Sequence, residues 1–204
     1  MKSGIVFGVM GGVVVAAVSV MMACGSEQAV AQPAKSEAPA GGAFSVDGVH
    51  SSVLFKIKHM GVSNFYGAFK DVSGTFSLGE TAGVNVVVKA DSVDTRNSKR
   101  DEHVKSPDFF AAKEFPTMTF TAEGLKKGAD GHYSGKGELT FRGVSKPVDL
   151  TIIPTGTAKG LGGEAIAGFE TKVSIKRSDF GNSGMIGPLS DEVDIIVALE
   201  GAAK

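Results

Sequence analysis

Across residues 44–204, apolar side chains recur at every second position in one segment after another, and glycine, proline and asparagine separate the segments. Alternation with period two marks antiparallel strands buried on one face. Val53, Phe55 and Ile57 alternate with Leu54, Lys56 and Lys58, and Val84, Val86 and Val88 with Asn85, Val87 and Lys89. The same pattern places Met118, Phe120 and Ala122 on one face, then Leu139 and Phe141, then Val148, Leu150 and Ile152. Two more segments carry Phe169, Thr171, Val173 and Ile175, and Val193, Ile195, Val197 and Leu199. With residues 65–78 read as one further strand, the pattern predicts eight long strands. An open sheet of that size needs a covering layer, and the helical signals are too short to provide one, so closure into a barrel is expected. Ser98 reads as a helix cap with Asp101 as its capping-box partner, Pro107 as the stop, and Ser106-Pro107-Asp108 as the start of a second turn through Phe109 and Phe110. The expected fold is therefore all-β, an extended eight-stranded antiparallel barrel with one or two short helical turns as a lid.

Alternation does not say which face looks inward. An outer-membrane barrel turns its apolar face to lipid and rims it with aromatic girdles, but this chain has no Trp and only Tyr66 and Tyr133. The apolar face is therefore assigned to the interior. Twelve of the thirteen phenylalanines follow the first 23 residues, and the inward positions mix them with small side chains. At eight strands a barrel interior is either just filled or holds one small ligand. The candidate tunnel wall comprises Phe55, Ile57, Phe69, Val86, Val88, Phe109, Phe110, Phe115, Met118, Phe120, Leu139, Phe141, Phe169 and Phe180. Taken singly, each of these side chains is better explained as core; it is the collective pattern that points to a cavity.

The N-terminal segment departs from the strand pattern. Residues 1–23 carry one charge, Lys2, followed by an unbroken run of apolar and small residues, as in an export signal. The run ends Val20-Met21-Met22-Ala23-Cys24-Gly25-Ser26, which resembles the cleavage and lipidation box of bacterial lipoproteins, although Met22 stands where a small residue is usual. Cys24 is the only cysteine, so it has no disulfide partner within the chain and is the candidate lipidation site. An uncleaved anchor and an ordinary secretory signal are the alternatives. Residues 24–43, almost devoid of large apolar side chains, read as a lipidated cysteine and flexible tether, and residues 44–204 as one barrel domain. This organisation predicts a periplasm-facing lipoprotein of the bacterial envelope, held to the membrane through Cys24; Ser26 in place of an acidic residue favours the outer membrane.

Charge narrows the function. Without Lys2, 20 basic side chains stand against 22 acidic ones, interspersed along the chain, so nothing marks a nucleic-acid partner. No Gly-x-Ser-x-Gly elbow, phosphate loop or dinucleotide fingerprint occurs. The histidines His50, His59, His103 and His132 form no His-x-x-x-His pair, and a metal site is not expected. Asp47, His50, His59, Arg100, Asp101, His103 and Arg177 are the candidate polar residues of the barrel mouth, where charged groups must be paired.

Ten separate blocks together resemble the YceI family. They include Phe44-Ser45-Val46-Asp47 with His50-Ser51, residues 55–63 (Phe-Lys-Ile-Lys-His-Met-Gly-Val-Ser), Gly67-Ala68-Phe69, and residues 92–97 (Ser-Val-Asp-Thr-Arg-Asn). The others are Arg100-Asp101-Glu102-His103, Asp108-Phe109-Phe110, Phe115-Pro116, residues 137–140, residues 143–148 and residues 177–181. The resemblance implies a lipocalin-like barrel whose tunnel binds a polyisoprenoid chain, such as an isoprenoid quinone or polyprenyl phosphate, without catalysis. No cofactor is required on this reading; a bound isoprenoid lipid is expected. A filled barrel serving as a protein-interaction module, and an enzyme acting on a prenylated substrate, remain as alternatives. An exposed closing strand could also pair two barrels into a homodimer.

Overall fold

The computed structural model describes residues 42–203. The leader, Cys24 and nearly all of the tether lie outside the described residues. From Ala43 onward the chain forms a closed antiparallel ring, built where alternating sequence pairs edge to edge. Strand β1 (Ala43–Val46) and strand β2 (Ser52–His59) both pair with the same edge of the last strand, β11 (Leu189–Ala203), with Val46 opposite Gly201 and Ser52 opposite Ala198. They are one strand interrupted by a bulge at residues 47–51. In the same way β3 (Ser63–Phe69) and β4 (Val72–Leu78) form a second broken strand, and β5 (Thr81–Lys89) and β6 (Val93–Asp94) a third. The unbroken strands β7 (Thr117–Lys127), β8 (Tyr133–Phe141), β9 (Val144–Lys159) and β10 (Ala165–Lys176) complete an eight-membered up-and-down ring.

The three breaks lie side by side. Lys70 N donates to Ser92 O at 3.2 Å, Asp71 N donates to Ser92 Oγ at 3.2 Å, and a Cβ on Gly48 would stand 2.9 Å from Val72 O. The expected single strand over residues 65–78 is therefore two strands meeting at a corner in the wall. Ser92 satisfies the backbone groups that the corner takes out of the ladder.

One end of the ring is closed by side chains. Phe44 stacks on Phe76 at 5.3 Å between ring centroids, and Phe76 meets Phe169 edge-on at 5.0 Å. Leu125, Ile152 and Tyr133 fill around them, and the Tyr133 hydroxyl donates to Gly79 O at 2.7 Å, which gives the one polar atom of this floor a partner. The other end carries the long connections, including helix α1 (Ser98–Lys105). Its N-cap is Asn97, not Ser98: Asn97 Oδ1 accepts from Arg100 N at 3.0 Å. Asp101 is drawn away from any capping box because its carboxylate accepts from both the backbone N and the hydroxyl of Thr95, at 2.7 and 2.6 Å. The segment after Pro107 forms hydrogen-bonded turns through Phe109 and Phe110.

Outward positions of the wall are polar, as at Lys56, Asn85, Glu138 and Glu170. One of them is buried: Asp194 on β11 is only 5% exposed, ion-paired to Lys56 of β2 and to Lys172 of β10 at 2.9 Å, with the Ser174 hydroxyl donating to it. These hydrogen bonds hold its carboxyl far below the usual carboxylate range. A depressed folded-state pKa stabilises the fold above the ordinary carboxylate value, and that contribution is lost as pH falls through the acid range. We predict that Asp194→Ala costs about 1–2 kcal/mol at neutral pH, because it removes the shared partner of Lys56, Lys172 and the Ser174 hydroxyl, while both lysines can still reach water. The variant should also lose less stability than the parent between about pH 5 and pH 2, as read from urea unfolding; parallel losses would refute the role given to Asp194.

Candidate functional site

Alternation brings the inward faces of the strands around a cavity of about 470 Å3, the size of a small-ligand site. Of the candidate tunnel residues, Phe55, Ile57, Phe69, Val86, Val88, Phe109, Phe110, Met118, Phe120, Leu139, Phe141 and Phe169 line it. Phe115 and Phe180 do not. Phe115 covers Gly143 at the β8–β9 turn, and Phe180, in the 3-10 turn Arg177–Phe180, packs behind Phe141 with ring centroids 5.9 Å apart. Both lie beyond strand ends, where alternation no longer fixes the direction of a side chain. Val53, Phe65, Val84, Leu150, Val173, Val193, Ile195 and Val197 also line the cavity, beyond the residues expected there. Most of them share the alternation of the expected set, and their aliphatic side chains face inward as fully as the aromatic rings do.

Two glycines keep the lumen open. Gly67 of β3 and Gly137 of β8 face inward, and a Cβ on either would collide with a ring from the neighbouring strand, Phe55 and Phe120 respectively. Each ring therefore lies flat against bare backbone instead of standing across the cavity. Phe110 enters from the loop after α1 and reaches across the mouth, 5.4 Å from Phe69, 5.7 Å from Phe141 and 6.2 Å from Phe55 between centroids. Arg142 Nη1 fixes the start of this loop by donating to Pro107 O at 2.8 Å and to Phe109 O.

Of the expected polar mouth, His59, Arg100, His103 and Arg177 border the cavity. Arg100 lies 4.6 Å over the Phe65 ring and donates to Thr95 Oγ1 at 2.9 Å and Thr95 O at 2.6 Å. His103 stands edge-on to Phe109 at 5.1 Å, with Asp108 3.8 Å from its Nε2. Arg177 is 3% exposed and caged by carbonyls: Nε donates to Ser190 O at 2.9 Å, and Nη1 to Gly184 O at 2.7 Å and to Asn182 O and Oδ1 at 3.2 and 3.1 Å. Burial lowers its pKa and nearby Asp191 opposes the shift.

Asp47, His50 and Asp101 do not reach the cavity. Asp101 is spent on Thr95. Asp47 and His50 sit in the β1–β2 bulge, away from the mouth, where His50 Nδ1 lies 2.8 Å from Asp47 Oδ2 and 3.9 Å from Glu200 Oε1. The hydrogen bond to Asp47 raises the pKa of His50 and lowers that of Asp47. These three side chains are the one set of His, Cys, Asp or Glu donors close enough to share a metal ion among the described residues; His50 is exposed, Asp47 and Glu200 are half-buried, and His50 is already hydrogen-bonded to Asp47. No serine, cysteine or carboxylate lines the cavity among the described residues. The arrangement suits the holding of an apolar molecule.

Residues 44–201 match the family described as YceI-like domain. The chain belongs to this family. It is 42% identical to the UPF0312 protein YE1254 of Yersinia enterocolitica over 159 residues, 76% of this chain and 82% of that one. To the Escherichia coli O157:H7 protein YceI it is 40% identical over 162 residues, 78% of this chain and 84% of the relative. Among solved structures, the Campylobacter jejuni YceI protein superposes with a TM-score of 0.65 at 37% identity, covering 73% of this chain and 91% of that chain. A polyisoprenoid binding domain from Saccharophagus degradans superposes with a TM-score of 0.59 at 16% identity, covering 79% of this chain and 98% of that one; at that distance the likeness is one of fold.

The glycine windows give a direct test of the cavity in this YceI-like barrel. Gly67→Ala must swing the Phe55 ring into the lumen, since the ring end is the only group in its way. We expect the barrel to stay folded, with a stability loss of about 1–3 kcal/mol, and the amount of co-purifying apolar ligand to fall. Unchanged ligand content together with an unmoved Phe55 ring in a crystal structure would show that the window is not what keeps the lumen open.

Proposed function

We propose that this protein binds a long apolar lipid, an isoprenoid chain, within the barrel and sequesters or transfers it without chemical change. The observation that carries the reading is the cavity itself: a closed wall of aliphatic and aromatic side chains, floored at one end by Phe44, Phe76 and Phe169 and open at the other between loops. Membership of the YceI-like family and the fold shared with a polyisoprenoid binding domain support it. At roughly 25 cal/mol per Å2 of apolar surface, a prenyl chain taken from water gains far more free energy than the ~1 kcal/mol of a typical head-group hydrogen bond. The chain therefore supplies affinity. The head, a quinone or a phosphate, would rest beside Arg100, His103 and His59.

On this proposal the chain is exported and held at the periplasmic face of the envelope through lipidated Cys24, most consistently at the outer membrane. The carrier would then be tethered rather than freely diffusing, and would collect and release lipid within reach of its own membrane.

The test is extraction. Gentle purification of the full chain, organic extraction and mass spectrometry should yield species spaced by one isoprene unit, in amounts approaching one per protein. Val173→Phe and Ile195→Phe, which fill the lumen without adding polarity, should reduce the bound lipid about tenfold at little cost in folding. Finding only bulk phospholipid, in the same amount for parent and variants, would sink the proposal.

A further inference from the structure

The barrel mouth carries an exposed apolar rim. Four of the eight exposed large apolar side chains among the described residues lie on two loops at the open end: Met60 and Val62 between β2 and β3, and Met185 and Ile186 before β11. Val62 is 84% exposed and Met60 60%. The loops are joined, Met60 N donating to Pro188 O at 2.6 Å, and Met185 also borders the cavity, so the apolar rim is continuous with the apolar lumen.

Two further features mark the rim as a contact surface. Neither loop carries a charge: residues 60–69 and 180–190 contain no Asp, Glu, Lys or Arg. Both loops also place a methionine in the left-handed region, Met60 at φ 52° and Met185 at φ 55°. Asn, Asp or Gly suits that conformation better, above all in the tight turn where Val62 N donates back to His59 O at 3.0 Å. Exposed apolar side chains held at strained turn positions contribute nothing to the core and lose free energy in water.

We propose that these loops insert into the interfacial layer of a lipid bilayer and place the mouth directly over the acyl chains, so that the ligand passes between membrane and lumen without crossing water. The inference rests on the lipid-binding reading above and adds the partner. It follows from the chemistry of the cargo: each methylene exposed to water lowers the equilibrium about fourfold, so a long chain cannot leave a bilayer freely at a useful rate. Uncharged apolar loops of this size suit shallow insertion at the headgroup boundary. The tether does not forbid the pose. Gly42 emerges at the closed end, and 18 residues beyond Cys24 can span up to ~60 Å, more than the ~50 Å of a 15-residue strand such as β11.

The chain has no tryptophan, so single indoles report cleanly. Val62→Trp, Ile186→Trp and, at the closed end, Leu161→Trp are each introduced into the full chain. The proteins are reconstituted into phosphatidylethanolamine–phosphatidylglycerol vesicles with brominated acyl chains. We expect quenching at positions 62 and 186 several-fold above that at 161, unchanged by high salt. The double variant Val62→Ser/Ile186→Ser should slow delivery of a fluorescent polyprenol from vesicles about tenfold, while retaining as much lipid as the parent after purification. Equal quenching at the three positions overturns the proposal. So does a blue shift at 62 or 186 that depends on protein concentration and not on brominated lipid, which would make the rim an interface with a second copy. If lipid is carried but the rim is not quenched, the docking falls and the binding reading stands; if the rim is quenched and no lipid is carried, the binding reading falls.

Discussion

Everything in this fold depends on β11 being paired along both edges. One edge takes β10 over eleven consecutive residue pairs, and the other takes β2 and then β1. Without the second pairing the sheet would be open and its apolar face would need another layer, which the described residues do not contain. Closure gives the backbone groups of the last strand their partners and lets one alternating pattern serve the whole circumference. The ion-paired Asp194 sits at this seam, linking β2, β11 and β10 through Lys56 and Lys172. Replacing Asp194, Lys56 and Lys172 together by apolar side chains would change net stability little, but the charged set penalises any slipped register, because a shift of one residue would bury the carboxylate unpaired.

Closure alone would give a filled barrel. The twelve phenylalanines of residues 44–204 are ample to fill a lumen, and at the floor they do so, with Phe44, Phe76 and Phe169 packed ring on ring. Further up, glycine changes the outcome. Where Gly67 and Gly137 face Phe55 and Phe120, the rings are absorbed into the wall, and aliphatic positions such as Val84, Val86 and Val173 complete a smooth lining. The same residue type therefore plugs one end and papers the other, according to whether the strand beside it carries a side chain or bare backbone.

The ring and its inward face were legible in the sequence because period-two alternation is a local property: each strand declares its own buried side. The corner at residues 47–51, 70–71 and 90–92 was not, because it is a relation between three strands, fixed by Ser92 bonding to Lys70 and Asp71. Strand ends were also hidden. Pro154 lies inside β9, tolerated because the β10 register slips at Gly168–Phe169 opposite it. Among the candidate site residues, those on strands fell where alternation put them, while Phe115, Phe180, Asp47 and His50 lie on turns and bulges whose geometry no periodicity encodes. Membership of the YceI-like family was legible because it rests on short blocks in order, which do not require their positions in space to be known.

The polar residues of the mouth constrain what the lumen can select. Arg177 gives its donors to backbone carbonyls and Asn182, Arg100 turns toward Thr95 and the face of Phe65, and Asp101 is consumed by Thr95. These bonds set the loops before any ligand arrives, so the groups that look most suited to grip a head are already committed to shaping the opening. A head group placed there competes with existing hydrogen bonds and gains only their difference, whereas each carbon threaded below gains its full transfer free energy. On the proposed lipid-binding reading, selectivity would follow the length and branching of the chain. The polar residues of the mouth would then act by holding the loops that shape the opening.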